Sequence, residues 1–297
     1  RPMKIPFINI TSAIIDSKGN YWFGTAGSGL WKANFDGNRF SCKMIEPPNS
    51  NSEELKKIHC LFEDKNGDIW IGTQNAGILR YRSNRKIGTL HSSDIEFPMI
   101  DGTSFAEDDE GNIYIGADGH GLFVLNTDFQ IIKHLTIEDG LTSNNVLCIR
   151  KGYDGNLWIA VWGGYICKIN PKTFQITQVP FKEIEYAFTT CKVVSPTKDG
   201  EVWVATSGAG IYKMNPAGKW ENIVLAADTG SLKKSPDTWM EDIIQSPTGT
   251  KWAVSSRTVW RFSQLEFHSV FPDIDSHPQH SPLVMLQGAC DNDGNLY

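Results

Sequence analysis

The stretch Gly67 to Tyr81, "GDIWIGTQNAGILRY", decides the fold, because a short hairpin pattern in it recurs along the chain. Two apolar runs are joined by polar residues that include a glycine, which is the pattern of two antiparallel strands and a turn. A large aromatic residue, Trp70, stands three positions after the first glycine and two before Gly72. One such hairpin occurs in many folds, so the fold is predicted from the repetition of the hairpin along the chain.

Related stretches follow one another at intervals of 44 to 49 residues from end to end of the chain. Each copy is aligned on a turn glycine: Gly19, Gly67, Gly111, Gly155, Gly200, Gly249 and Gly294. Three positions later, every copy has a large aromatic residue: Trp22, Trp70, Tyr114, Trp158, Trp203, Trp252 and Tyr297. A period of about 40 to 50 residues with several strand signals in each unit is typical of β-propeller blades.

The second copy shows how one unit is built. Four strand-like segments, "KIHCLFE", "DIWIGT", "GILRYR" and "KIGTLH", are separated by turns, and the first turn, "DKNG", has an Asp and a Gly suited to tight turning. The second segment is apolar on both faces, with Ile69 and Ile71 on one and Trp70 on the other. Such a strand is expected to be buried on both sides. We therefore interpret Trp70 as a spacer between blades and Gly72 as a site of close backbone approach.

The sequence thus predicts an all-β fold: one β-propeller domain over residues 1–297, built from four-stranded antiparallel blades. The seven aligned glycines predict seven blades, the last of them incomplete. The seventh copy begins at about Leu283 and stops at Tyr297, before a third or fourth strand. The initial segment "RPMKIPF" is expected to add an outer strand to that blade.

Composition excludes several classes of partner. The net charge of −6 and the lack of a Lys/Arg cluster argue against binding to nucleic acid or an anionic membrane. No apolar run approaches the length of a membrane span, so direct membrane insertion is not expected. The six cysteines are scattered without C-x-x-C spacing, which favours reduced packing residues over disulfides or a metal centre. No cofactor is predicted.

Residues 138–170, "EDGLTSNNVLCIRKGYDGNLWIAVWGGYICKIN", resemble the two-component regulator propeller repeat. The matching positions are Asp139-Gly140-Leu141, Asn145-Val146, Gly155-Asn156-Leu157-Trp158-Ile159 and Gly163-Gly164. The resemblance implies a periplasmic sensor region of a membrane-bound hybrid histidine kinase that signals by binding rather than by catalysis. It also implies a small-molecule or oligosaccharide ligand, since many such propellers of gut Bacteroidetes sense glycans, and contacts with other domains or protomers of the receptor. The 297 residues carry no transmembrane, kinase or receiver segment, so a fragment or a stand-alone relative is expected.

Candidate ligand-binding residues lie on two kinds of loop. In a propeller, the loops between second and third strands and the linkers between blades share one face, called here the mouth face, where ligands usually bind. The candidates on these loops are Trp162, Trp239, Arg257, Asn75, Asp118, His120, Asn145 and Tyr186. Trp162 and Trp239 fall outside the spacer positions, so each either stacks on a sugar ring or packs under a neighbouring loop. Arg257 either grips a carboxylate or sulfate or faces solvent.

Two other functions stay open at this point. Streptogramin lyases are propellers with similar Asp-x-x-Gly-x-Ile-Trp repeats, and that resemblance implies a histidine and a glutamate on the loop face. His120 could serve as such a base, but the sequence fixes no partner for it and shows no nucleophile motif. The second alternative is a protein-interaction or dimerisation scaffold. A metal site would need His120, His277 and His280 to converge, so neither metal ligands nor catalytic residues are assigned.

Overall fold

The computed structural model shows a chain of strands and tight turns. It describes residues 9–35, 40–45, 56–74, 76–82, 88–89, 98, 100–181, 190–223, 239–246, 248–255, 259–263 and 266–269. These residues fall into two compact units: the first comprises the described residues up to Thr136 together with Asn144–Val146, and the second comprises the rest. Each unit is built from four-stranded sheets whose strands pair in chain order, and we call each sheet a blade.

The first unit contains blades 1 to 3. Blade 1 consists of β1 (Ile10–Ile15), β2 (Tyr21–Thr25), β3 (Leu30–Phe35) and β4 (Phe40–Ile45). Blade 2 consists of β5 (Ile58–Glu63), β6 (Ile69–Thr73), β7 (Ile78–Tyr81) and β8 (Gly88–Thr89). Blade 3 consists of β9 (Gly102–Glu107), β10 (Ile113–Ala117), β11 (Gly121–Leu125) and β12 (Ile131–Leu135).

The second unit contains blades 4 to 6. Blade 4 consists of β13 (Val146–Lys151), β14 (Leu157–Val161), β15 (Tyr165–Ile169) and β16 (Ile176–Val179). Blade 5 consists of β17 (Thr190–Pro196), β18 (Val202–Ser207), β19 (Ile211–Met214) and β20 (Trp220–Ile223). Blade 6 consists of β21 (Met240–Gln245), β22 (Lys251–Ser255), β23 (Val259–Ser263) and β24 (Glu266–Ser269).

The described residues therefore form six antiparallel blades, which confirms the all-β propeller architecture but not the predicted number of seven blades. The prediction of seven was wrong for this part of the chain, since the seventh copy has strand-like segments for only half a blade. That copy, from about Leu283, and the initial segment "RPMKIPF" both lie outside the described residues. Among the residues described, a 3₁₀ turn spans Ile137–Asp139, and no helix is long and apolar enough to cross a membrane.

The spacer aromatics are buried between successive blades, as predicted. Trp22, Trp70 and Trp203 are at most 1% exposed. Each packs on the blade that follows it: the ring of Trp70 lies 6.1 Å from that of Phe105, and the ring of Trp203 lies 5.2 Å from that of Phe262. The prediction was wrong for Trp252, which is only half-buried. The reason is that blade 6 is the last blade within the described residues, so Trp252 has no described successor to pack on.

In blades 1 to 3 an aspartate in the turn between the first and second strands ties the spacer to its own blade. In blade 2, Asp64 Oδ1 accepts hydrogen bonds from the backbone N–H groups of Asn66 and Asp68, while its Oδ2 accepts the indole N–H of Trp70 at 2.9 Å. Gly67 supplies the left-handed conformation of the turn, with φ +78°. The predicted turn chemistry is therefore correct, and the carboxylate also satisfies the buried indole.

Gly72 and the inner-strand cysteines mark close contact between blades 2 and 3. A methyl group added at Gly72 would lie 2.4 Å from the carbonyl oxygen of Gly102 and 2.6 Å from Cys60 Sγ, so the predicted close approach is confirmed. The Cys60 thiol donates to the same carbonyl at 3.5 Å. The cysteines at 42, 60, 148, 167 and 191 form no disulfide with one another, and Cys290 lies outside the described residues.

Candidate functional site

The two loop types predicted to share the mouth face do meet in the structure. Strand pairing places the start of each inner strand beside the end of the second strand, as in the pair Ile58 and Thr73. The loop after the second strand then reaches the next blade. The N–H of Gly121 donates to Asn144 O at 2.7 Å, and Ser207 forms an isolated β-bridge with Trp239. The mouth face is therefore built from residues of neighbouring blades.

A threonine closes the mouth loop in three of the blades. These threonines, at the end of the second strand, are Thr25, Thr73 and Thr206. In each case the hydroxyl donates to the carbonyl of the glycine four residues later, at 2.7–2.8 Å, and accepts from the N–H three residues later. The side chain thus satisfies the loop backbone from within.

Blades 3 and 4 replace that threonine with residues that cannot form this cap. Ala117 pairs directly with Gly121, and Val161 pairs directly with Tyr165, with three residues between them, as between each capping threonine and its glycine. The loop in blade 3 is "DGH", residues 118–120, and the loop in blade 4 is "WGG", residues 162–164. These loops have the same length as those of the threonine-capped blades, but no hydroxyl binds their backbone, and His120 and Trp162 are exposed.

Three aromatic side chains are exposed on the mouth face of the second unit. Trp162 and Trp239 are each 58% exposed, and Tyr165 is 55% exposed. More than half of the Trp162 side chain is therefore open to solvent. Within blade 4, a methyl group added at Gly163 would lie 3.4 Å from the Tyr165 ring, so that ring covers the loop backbone. Indole and phenol rings held open to solvent in this way are suited to stacking on an apolar ring face.

Sequence reasoning missed Tyr165, although the repeats contain a signal for it. At the same position, ten residues after the turn glycine, four other copies have a glycine: Gly29, Gly77, Gly121 and Gly210. All four take positive φ values of 71° to 80°. In blade 4 the positive φ values fall instead on Gly163 and Gly164, which frees the position for a large side chain.

In the first unit, the structure brings Asp118, His120 and Asn145 to one loop region of blade 3. His120 Nδ1 donates to the carbonyl oxygen of Asp118 at 2.7 Å, so Nε2 carries the lone pair in the neutral ring. Both residues are exposed. Asn145 Oδ1 lies 3.8 Å from the position of a methyl group added at Gly119. These three predicted residues are therefore neighbours within the first unit.

A second histidine fixes the backbone of this loop. His134, on β12, donates from Nε2 to the carbonyl oxygen of His120 at 2.7 Å, and its ring stacks on Phe123 at 4.1 Å. The outer strand of blade 3 thus holds the loop in place. Among the described residues, no group of three or more His, Cys, Asp or Glu side chains could hold a metal ion.

The other candidates cannot be placed. Asn75, Tyr186 and Arg257 lie outside the described residues, as do His277 and His280. Their assignments stay predictions from the sequence.

The inner strands of the second unit carry two ion pairs that sequence reasoning missed. Lys192 Nζ donates to Glu241 Oε2, which joins β17 to β21. Arg150, on β13, donates to Asp242 Oδ1 at 3.0 Å, and Asp242 is only 2% exposed. Burial acts to lower the pKa of Arg150, but the adjacent Asp242 outweighs it and raises that pKa above its usual range. Both pairs join strands that are distant in sequence.

Two stretches, residues 54–75 and 140–163, match the family described as two component regulator propeller. This confirms the resemblance drawn from residues 138–170 and extends it to the second copy. No curated protein matches the chain significantly.

Solved structures show the same fold. The extracellular domain of the hybrid two component system BT3049 from B. thetaiotaomicron matches with TM-score 0.75 and 22% identity, over 99% of this chain and 38% of that one. The corresponding domain of BT4673 from the same organism matches with TM-score 0.73 and 20% identity, over 97% of this chain and 39% of that one. A streptogramin B lyase matches with TM-score 0.74 and 15% identity, over 99% of this chain and 91% of that one. This chain therefore spans about two fifths of the two extracellular domains, and the similarity shows a β-propeller fold.

Proposed function

We propose that this chain, which carries two-component regulator propeller repeats, is the ligand-sensing part of an extracytoplasmic receptor of the hybrid two-component type. Its ligand is an oligosaccharide, and it signals by binding rather than by catalysis. The family match at two repeats and the fold shared with extracellular domains of two such systems support the receptor assignment. The same similarity supports a periplasmic location, with other domains or protomers of the receptor as partners.

The observation that carries the ligand assignment is the exposure of Trp162, Tyr165 and Trp239 on the mouth face of one unit. Removing large aromatic surface from water is favourable, so side chains of this size are usually mostly buried within the fold. An aromatic side chain that stays exposed is suited to being covered by a bound partner. Aromatic side chains that present an apolar face beside polar groups suit sugars, whose rings have apolar faces and polar edges. Asn222, whose side-chain amide donates to Ala209 O at 3.2 Å on the blade 5 loop, adds a polar group to this face.

Catalysis receives less support from the described residues. His120 Nε2 has its lone pair available, which is what a general base requires. A base also needs a partner group at the substrate, but the His120 ring donates to the carbonyl oxygen of Asp118, and its backbone carbonyl accepts from the His134 ring. The fold shared with streptogramin B lyase at 15% identity does not supply that partner.

The test is titration calorimetry of the purified domain with a panel of oligosaccharides. Binding should release or absorb heat and raise the melting temperature by mass action. Trp162→Ala and Trp239→Ala should each weaken binding. Tyr153→Ala is a matched control, because Tyr153 is 66% exposed in the same unit but lies in the turn between β13 and β14, at the opposite end of blade 4.

Two results would contradict this function. One is the absence of binding to every oligosaccharide in the panel. The other is turnover of a streptogramin B lactone by the wild-type protein that is lost in His120→Ala, which would make the chain a lyase.

A further inference from the structure

The ion pair between Lys192 and Glu241 lies at a β-bulge that recurs on the inner strands of the blades. Both residues stand at a register shift of their strand: β17 shifts between Cys191 and Val193, and β21 shifts between Met240 and Asp242. A β-bulge of this kind turns one side chain away from the regular alternation of the strand. The Lys192 side chain is 34% exposed and that of Glu241 is 11% exposed, so solvent reaches the pair from the lysine side.

In blades 1 and 3 the equivalent position links one inner strand to the next. It is occupied there by threonine, eight residues before the turn glycine, whereas blade 2 has the exposed His59. The hydroxyl of Thr11 donates to Ile58 O, and that of Thr103 donates to Val146 O at 2.6 Å. A neutral hydroxyl is therefore sufficient to link one inner strand to the next. Two charged side chains are therefore not needed at this position to link neighbouring inner strands.

The pair lies next to one of the exposed tryptophans. Trp239 is two residues before Glu241 at the start of the same inner strand. Residues two apart in an extended strand are separated by about 7 Å. An aromatic face, a carboxylate and an ammonium group are thus concentrated at the start of one strand on the mouth face.

The charges on these inner strands balance. Lys192 pairs with Glu241, and Arg150 pairs with Asp242. The remaining charged side chain on β13, β17 and β21 is Lys151, which is the last residue of β13 and lies at the end away from the mouth face. A ligand that carries its own charge meets no uncompensated opposite charge at this end of the described strands, so the cost of desolvating it is not offset by a new ion pair.

Resting on the proposed function, we propose that the second unit binds an uncharged sugar ring stacked on Trp239, with neighbouring hydroxyl groups bound by the Lys192–Glu241 pair. The ammonium donates to one hydroxyl oxygen, and the carboxylate accepts from another. The two groups remain paired with each other, so the site selects neutral hexoses over uronic acids and sulfated sugars. Hydrogen bonds to charged groups are stronger than those between neutral groups, which gives the pair a large share of the affinity.

The experiment uses calorimetry with neutral hexasaccharides of gluco, manno, galacto and xylo configuration, and with hexagalacturonate and a sulfated heparin hexasaccharide as charged probes. At least one neutral probe should bind more tightly than both charged probes. Lys192→Met and Glu241→Gln should each lower its affinity about tenfold or more. In the double variant the loss of binding free energy should be smaller than the sum of the two single losses, because the two groups act as a pair.

Lys213→Met is the matched control. Lys213 forms a comparable ion pair in the same unit, with Glu221 at 2.6 Å, but on the outer strands β19 and β20. This variant should leave affinity unchanged. Tighter binding of a charged probe, or unchanged affinity in both Lys192→Met and Glu241→Gln, would overturn this inference while leaving oligosaccharide sensing intact. Failure of every probe to bind would overturn both proposals.

Discussion

The indole N–H of Trp70 donates to Asp64 Oδ2 at 2.9 Å, and both residues are at least 96% buried. The same carboxylate orders the turn through two backbone N–H groups. One side chain therefore fixes the turn and satisfies the spacer that separates two blades. Blade 1 repeats the arrangement with Asp16 and Trp22.

Asp64→Ser should destabilise the protein, because it leaves the buried indole N–H of Trp70 without an acceptor. An unsatisfied buried donor costs about 1 to 3 kcal/mol. Urea unfolding of Asp64→Ser, Trp70→Phe and the double variant would measure the effect. The two substitutions should be less than additive, and strict additivity would show that this hydrogen bond contributes nothing to stability.

Ser246→Asp should have the opposite effect in blade 6. Ser246 occupies the position of Asp64, and its hydroxyl accepts the N–H of Thr250 at 3.0 Å. The indole N–H of Trp252 is buried and has no acceptor among the described residues. An aspartate can reach both donors, so a gain of about 1 kcal/mol in the free energy of unfolding is expected. Ser246→Ala is the control and should lose stability. A loss of stability in Ser246→Asp as well would show that position 246 does not have the role of Asp64 in blade 2.

The tryptophans of this chain should divide into structural and functional sets. Trp70→Ala should cost about 3 to 5 kcal/mol of stability, because it leaves a cavity between blades. Trp162→Ala should leave the melting temperature within a few degrees, since that side chain is 58% exposed, yet should weaken oligosaccharide binding by about 1 to 3 kcal/mol. Thermal melts and calorimetry on both variants measure this. Unfolding of Trp162→Ala with retained affinity would make Trp162 a core residue.

Acid should destabilise blade 1 through Asp16. Burial opposes ionisation of this carboxyl, but hydrogen bonds from Trp22 and Asn20 outweigh it and hold the pKa below its ordinary value of 3.8. Well above that value the stabilisation is fully present. As the pH falls, the unfolded state is protonated first, so stability drops until the folded carboxyl is protonated too. Urea unfolding between about pH 6 and pH 2 should show a shallower pH dependence for Asp16→Asn than for wild type, and equal slopes would refute the assignment.

The sequence by itself determined the repeat, the strand order within each blade and the buried residues. Trp70 and Gly72 could be assigned because they recur in phase, and a residue that recurs in phase in every blade serves the packing that all blades share. The turn aspartate was predicted for the same reason. The two-component regulator propeller resemblance also came from local motifs and was confirmed by the family match.

The candidate site is formed by residues in which one blade differs from the others. For such residues the repeat pattern does not predict the direction of the side chain. Trp162 was recognised as an exception, but its exposure depends on how the loop between the paired residues Val161 and Tyr165 is folded. Whether a single unusual side chain points to solvent or into a neighbouring blade is set by such pairing and by which residues take positive φ.

Only the tertiary structure decided which distant side chains meet. Lys192 and Glu241 are 49 residues apart, and Arg150 and Asp242 are 92 apart. Each pair forms because the fold brings together inner strands that are distant in sequence, and both Lys192 and Glu241 stand at a β-bulge. Periodicity cannot predict such pairs, since it reports what the blades have in common, whereas these contacts are made by residues in which the blades differ.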